Sequence, residues 1–364
     1  RSYMTDNEPD FLDAIDRGFS SRDDFISYIK EDADLDDLDN DLSIIGSICD
    51  HDRSHFLESL SLHFDIIEEN DDLLLLGASD EDVPYYVHLQ DQEFPLFFAA
   101  ANKTDEIPDT LVEYLQKDKE MSRMWVGKRE MERLREQMVR DHNELIIPQF
   151  TAKRSKHTDI PAKKRPEYDR TIRYWADDGL EVYRHLKSRY GVLPTNIQFE
   201  DPGRFKFQIT QDGVFTSIDG GVEQITELIT QSTERLRFIK QKINTSFYEE
   251  NGSESLQEFS MPYSKPWAIQ LDDRPAKSDI RHFEGNVVES NLEFSVIHFD
   301  PYLDIRGFDA ELMDKNNYGK TAIRTKDTEI RVFPREATGI DQSIRIYNFV
   351  DDHIEPNPDA IEVV

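Results

Sequence analysis

Residues 151–173, TAKRSKHTDIPAKKRPEYDRTIR, place eight Lys and Arg against three acids. Lys153, Arg154, Lys156, Lys163, Lys164, Arg165, Arg170 and Arg173 are interleaved with His157 and Tyr168, and Tyr174 and Trp175 follow directly. Ammonium and guanidinium groups neutralise phosphates, while planar rings stack on unpaired bases. The combination sets an expectation: Lys153, Arg154, Lys156, Lys163, Lys164, Arg165, Arg170, Arg173, Tyr174 and Trp175 meet nucleic acid, DNA or RNA. Two other uses of the same charges compete with it. The segment would clasp an acidic region of its own chain, or it would meet an acidic protein partner.

Other clusters carry weaker chemistry. CDHDRSH at 49–55 holds His51 and His55 at i and i+4 beside Cys49, with His63 beyond. Such spacing can put two imidazoles on one metal, but Asp52 stands where a zincin helix needs Glu, and capping explains the pattern more simply. HFDPYLD offers His298, Asp300 and Asp304, acids of the kind that hold Mg²⁺ for phosphodiester cleavage. YGKT at 318–321 has the end of a phosphate-binding loop without its earlier glycine, for Asp314 takes that place. No serine elbow, cysteine nucleophile signature or dinucleotide fingerprint is present. The reading is therefore a non-enzymatic, nucleic-acid-associated protein with neither metal nor cofactor, a regulator or a component of a defence or mobile-element system. The alternatives are a Mg-dependent nuclease and a structural adaptor.

The basic segment stands out because the chain is acidic. Its 364 residues carry 75 Asp and Glu against 43 Lys and Arg, a formal charge of -32, yet 37% are hydrophobic. That apolar share opposes disorder. An acidic surface over an ordinary core is the pattern of a cytoplasmic protein from a salt-accumulating archaeon. At molar salt the Debye length is only about 3 Å, so cations kept there act at contact distance. One cysteine, Cys49, allows no intrachain disulfide. No secretory leader or membrane contact is expected, since the apolar runs, such as LLLL at 73–76, fall far short of the roughly 20 residues that span a bilayer.

Charge is also segregated along the chain. Residues 1–122 hold 33 acids and 8 bases, whereas residues 123–189 hold 17 bases and 11 acids. The first region predicts amphipathic helices at 11–17 and 22–30, further helices at 38–49 and 54–62, and a hairpin in LHFDIIEENDDLLLLGAS. The middle predicts strands YYVHL, PLFFAAA, MWVG and ELIIPQF alternating with helices DTLVEYLQK and REMERLREQMVRDH. A helix over 179–190 capped by Gly191 follows, then strands FKFQIT and GVFTSI about a QDG turn. A longer helix over 222–243 has Ile225, Ile229, Leu236, Ile239 and Ile243 at helical spacing, a stripe that serves as core or as a homodimer seam. After EENGSES, the segments WAIQL, EFSVIHF, EIRVF and IRIYNFV read as strands.

Helix, helix, helix, hairpin over roughly 9–79 resembles the element order of a winged helix. That resemblance implies DNA or protein contact, although RDDFISYIKEDAD would turn carboxylates toward phosphates. The expected class is α+β, mixed α/β. The expected parts are a winged-helix-like acidic domain at 1–83, a central α/β domain at 84–250, a β-rich domain at 256–350 and a polar tail at 351–364.

Overall fold

The computed structural model describes residues 22–31, 40–70, 72–78, 83–89, 91–156, 158, 160–243, 266–290, 292–335 and 338–363. The expected helix at 11–17, the linker EENGSES and His157 lie outside them. The described chain is mixed α+β with two antiparallel sheets.

The first sheet has eleven strands. They are β1 Leu42–Cys49, β2 Phe64–Asn70, β3 Leu73–Ala78, β4 Pro84–His88, β5 Leu96–Ala99, β6 Met121–Arg123, β7 Ile146–Arg154, β8 Arg170–Trp175, β9 Leu193–Asp201, β10 Phe205–Thr210 and β11 Val214–Asp219. Their order is β2-β3-β4-β5-β1-β11-β10-β9-β7-β8, with β6 also paired to β1. Residues on both sides of position 83 thus share one sheet. The QDG turn joins β10 to β11 through Gly213 at φ 81°, where a side chain would meet the Met124 carbonyl oxygen at 2.1 Å.

The helices of this part are α1 Arg22–Glu31, α2 Arg53–Ser61, α3 Glu113–Lys117 (continuing a wide turn Pro108–Val112), α4 Lys128–Asp141, α5 Gly179–Tyr190 and α6 Val222–Lys242. Helix α5 ends at Gly191 in the left-handed conformation, φ 62°, as expected of that cap. The stripe on α6 is core: Ile225, Ile229, Leu236, Ile239 and Ile243 are all buried.

Two clusters of apolar residues occupy opposite faces of the sheet. Met131 and Leu134 of α4, Tyr183 of α5 and Ile225 of α6 pack with Phe150, Ile197, Phe199, Phe207 and Phe215. On the other face, Phe56 and Leu60 of α2 and Tyr114 of α3 pack with Ile45, Leu74, Leu76, Tyr85 and Phe97. Strand β1 is buried at all eight positions, which explains why its sequence misleads. A central strand covered on both faces loses the period-2 alternation, so LSIIGSIC reads as an apolar helix segment. The described residues of the N-terminal part therefore run α1, β1, α2, β2, β3, so the helix expected at 38–49 is a strand over Leu42–Cys49, and a winged-helix order is not confirmed. MWVG is likewise not a strand, although it is buried; β6 lies just before it.

The second sheet comprises β12 Trp267–Gln270, β13 Phe294–Tyr302, β14 Gly307–Asp314, β15 Lys320–Lys326, β16 Glu329–Pro334 and β17 Asp359–Glu362, in the order β13-β14-β15-β16-β12-β17. Helices α7 Lys277–Arg281, α8 Phe283–Glu289 and α9 Ile340–His353 accompany it. Two expectations fail here. IRIYNFV is the middle of α9, and the supposed polar tail at 351–364 supplies the end of that helix and β17. Every α9 residue except Asp341 is buried, and its middle segment IRIYNFV, taken alone, alternates enough to resemble a strand. Its polar groups are used internally: Arg345 pairs with Asp341 one turn back and with Asp314 on β14.

Helix α9 also caps α4. The backbone N–H groups of Lys128 and Arg129 donate to the Asp352 carboxylate at 3.0 and 3.1 Å. Burial, then the neighbouring Asp351 charge, raises the Asp352 pKa against the pull of Lys128 and these two donors. The two parts of the chain are thereby joined at the helix preceding the basic segment.

Candidate nucleic-acid interface

Apart from bulges where β7 pairs with β9, strands β7 to β10 alternate between two faces. Phe150, Ala152, Ile197, Phe199, Phe205, Phe207 and Ile209 turn toward α4, α5 and α6. The residues between them form a polar face, and no apolar residue of β7–β10 belongs to the cluster under α2 and α3. Among the described residues this half of the sheet has one packed face and one without an apolar cover.

The register aligns the polar face in rows. Trp175, Gln149, Gln198, Gln208 and Thr216 are successive partners across β8, β7, β9, β10 and β11. The next row runs Arg173, Thr151, Asn196, Thr210, and beyond it Thr171 stands opposite Lys153. Within this field Gln208 donates to Asn196 Oδ1 at 2.7 Å. Trp175 is 62% exposed at the sheet edge, whereas the other two tryptophans, Trp125 and Trp267, are buried.

The candidate residues of the basic segment divide among three places. Lys153, Arg173 and Trp175 share the polar face. Lys156, Lys163, Lys164 and Arg165 lie exposed in the connection between β7 and β8, where Lys156 pairs with Asp169 at 3.5 Å and Arg165 stands over Tyr168. No ion pair among the described residues links Lys163, Lys164 or Arg165 to the acidic N-terminal part. Arg154 and Tyr174 turn inward instead. Arg154 donates to the carbonyl oxygens of Ile160 at 2.8 Å and Gly191 at 3.2 Å. Tyr174 stacks on Phe150 and donates to Asp178 at 2.5 Å, an interaction that raises its phenol pKa. These two position the hairpin, and neither stands on the polar face.

Arg154 faces Arg170 across the β7–β8 pair. At this mouth of the hairpin a cavity of about 310 Å³ opens against α8. Lys128, Lys153, Arg154 and Arg170 supply its cations, and Asp169 and Glu289 its carboxylates. Ser155, also in the wall, donates to Asn286 of α8 at 3.2 Å. Lys128 is only 8% exposed. Burial lowers its pKa first, opposed by Asp352 and assisted by the Lys153 charge.

The weaker clusters resolve otherwise. His51 hydrogen-bonds Asp118 at 2.7 Å through Nε2 and pairs with Glu120 at 2.9 Å through Nδ1, so carboxylates hold both ring nitrogens. His55 bonds Asp52, the residue that caps α2. Among the described residues no group of His, Cys, Asp and Glu is arranged to hold a metal. Asp300, on the edge strand β13, accepts from the Tyr302 hydroxyl at 3.1 Å. Lys320 and Thr321 lie in β15 rather than at a helix N-terminus.

The amide row depends on β9, a strand that the sequence expectations do not include. Its signal was present in NIQFE, where Asn196, Gln198 and Glu200 alternate with Ile197 and Phe199. Lys128 gave no signal, since its burial depends on α8 and α9 packing over the start of α4.

Residues 129–212 match the AF_0896_M family middle domain. The match begins in α4 and ends just past β10, so it contains the polar face and most of the cavity wall. A protein of Archaeoglobus fulgidus described as an uncharacterized protein is 24% identical over 290 residues, covering 76% of this chain and 77% of that protein.

Proposed function

We propose that the protein binds nucleic acid without cleaving it, laying a single strand across the polar face of β7–β10. The row Trp175, Gln149, Gln198, Gln208 is the observation that supports this reading. An exposed indole at the sheet edge leads onto the half-buried amides of Gln149 and Gln208, with the buried Gln198 between them in register, and Lys153 and Arg173 flank them. An indole stacks on any base, a glutamine offers a donor and an acceptor to a base edge, and the cations neutralise phosphates. In a salt-accumulating archaeon, the cell this composition suits, counterion release contributes little. Stacking is screened far less than charge attraction, which gives Trp175 the larger share of the grip.

Fluorescence tests the reading directly, because Trp175 is the exposed tryptophan of the three. Single-stranded oligodeoxynucleotides and oligoribonucleotides, titrated at two KCl concentrations, are expected to quench it. Base stacking contributes about 1–3 kcal/mol, so Trp175→Ala should weaken binding about tenfold or more. Arg173→Glu should weaken it and flatten its salt dependence. An unquenched indole, with affinity unchanged in both variants, overturns the proposal.

A further inference from the structure

We infer that the cavity at the mouth of the β7–β8 hairpin receives a phosphate monoester dianion, held by Lys128, Lys153 and Arg170. This deepens the nucleic-acid reading and rests on it for one source of the ligand, the terminal phosphate of a strand lying on the adjoining face. The other source is free phosphate.

Several observations converge on an anion here. Lys128 lines the cavity at 8% exposure, and among the described residues no carboxylate pairs directly with its ammonium, although the charges of Asp352 and Glu289 act on it. A cation so deep, beside the like charge of Lys153, is costly unless a counter-charge meets it. Arg170 adds a buried Nε that lacks an acceptor among the described residues. It is the cross-strand partner of Arg154, and like charges at directly paired positions destabilise a strand pair.

The two carboxylates of the cavity wall do not balance its four cations. Asp169 accepts from the Lys156 backbone N–H at 2.6 Å and pairs with the Lys156 ammonium, which leaves Glu289 facing the wall of cations. In a chain of net charge -32, a cavity with four cations and two carboxylates is a local reversal of sign. A dianion placed among Lys128, Lys153 and Arg170 would give Arg170 Nε an acceptor and the two ammonium groups a counter-charge, and charge-assisted hydrogen bonds of this kind are the strong ones. At about 310 Å³ the cavity has room for a phosphate and part of the sugar attached to it.

Lys153 connects the cavity to the interface, since it also stands on the polar face opposite Thr171. A strand whose end entered the cavity would lead outward past Arg173 and Trp175. Affinity should then depend on the chemistry of the strand's end, a property that stacking and backbone contacts alone do not give.

The test uses the full chain and two probes. Inorganic phosphate, added at constant ionic strength in KCl, should raise the melting temperature of the wild type, and Lys128→Met should remove that rise. Oligonucleotides of one sequence, ending in 5′-phosphate, 3′-phosphate or hydroxyl, should show a terminal-phosphate preference of about tenfold or more, lost in Lys128→Met while the hydroxyl form binds as before. Lys153→Gln is the second variant if Lys128→Met does not fold, and it should diminish both effects. Phosphate protection without oligonucleotide binding supports the cavity, assigns it to free phosphate and overturns the interface. Equal binding of all three ends, with no phosphate protection, overturns the cavity and leaves the interface standing.

Discussion

Arg154 and Arg170 stand directly opposite each other where β7 and β8 begin to separate, yet they serve different ends. Arg154 is 5% exposed and satisfies the carbonyl oxygens of Ile160 and Gly191, which ties the connection after β7 to the end of α5. Arg170 leans over the Tyr190 ring at 4.3 Å and borders the cavity. Arg154→Met should therefore cost about 1–3 kcal/mol by stranding two buried acceptors. Arg170→Met should cost less, because it also relieves the facing charge. Melting of the two variants in phosphate-free KCl checks the order, and equal losses would show that the register contact matters more than the carbonyls.

A pH dependence follows from His51. Burial alone would push its pKa down, but the hydrogen bonds and charges of Asp118 and Glu120 outweigh this and raise it to about 9. A raised folded-state pKa means that the charged imidazole favours the folded state. The contribution is fully present below the unfolded value, about 6.5, and is lost as pH rises through about 9. Thermal melts between these limits should show the wild type losing more stability than His51→Gln. Parallel pH profiles would remove the role assigned to this pair of carboxylates.

Arg345 carries a larger penalty. Its side chain and that of Asp314 are each 1% exposed, and it also bridges to Asp341 and the Leu292 carbonyl oxygen. Breaking a buried pair by removing one partner typically costs about 3–5 kcal/mol. Arg345→Met should lower denaturant stability by that order, whereas Arg324→Met, on a 61% exposed side chain paired with Asp309, should change it by less than about 1 kcal/mol. Similar small losses in both would mean that solvent reaches the Arg345 site.

Salt should govern the fold as a whole. With 75 acids repelling one another, the net charge opposes compaction when unscreened. Melting temperature should fall markedly as KCl is lowered from about 3 M to about 0.2 M, where the Debye length grows severalfold. A flat profile would remove the salt-adapted setting and the special weight it gives to contact-range cations.

How legible these features were depended on local alternation. Helix α5, its Gly191 cap, the β2–β3 hairpin and the β10–β11 hairpin follow from pattern and turn chemistry within a few residues. Strand β1 did not, because burial on both faces erases the alternation that reports period, and helix α9 did not, because IRIYNFV taken alone resembles an alternating strand. The candidate interface was legible in part. Charge and aromatic content marked residues 151–175, but only register separates Trp175, on the polar face, from Tyr174, packed on Phe150. Lys128 enters the same cavity from a distant place in the chain, a relationship that sequence spacing does not contain.

The exposed cluster Lys163, Lys164 and Arg165 separates the connection from the sheet face. All three are exposed, and Arg165 adopts φ 47°, so replacing them together by Glu should change stability by no more than about 1 kcal/mol. Under the sheet-face reading the triple variant keeps Trp175 quenching and loses affinity through long-range charge alone, an effect that disappears at high KCl. If the connection itself grips phosphate, each lost contact lowers the salt slope by nearly one unit per phosphate, and binding fails at every KCl concentration. If the cluster instead clasps the acidic N-terminal region, the variant melts earlier and nucleic-acid binding is absent in the wild type too. Melting and binding measured on one preparation, at two KCl concentrations, distinguish the three. The geometry favours the first, because Lys163, Lys164 and Arg165 have no row of amides beside them, whereas Lys153 and Arg173 do.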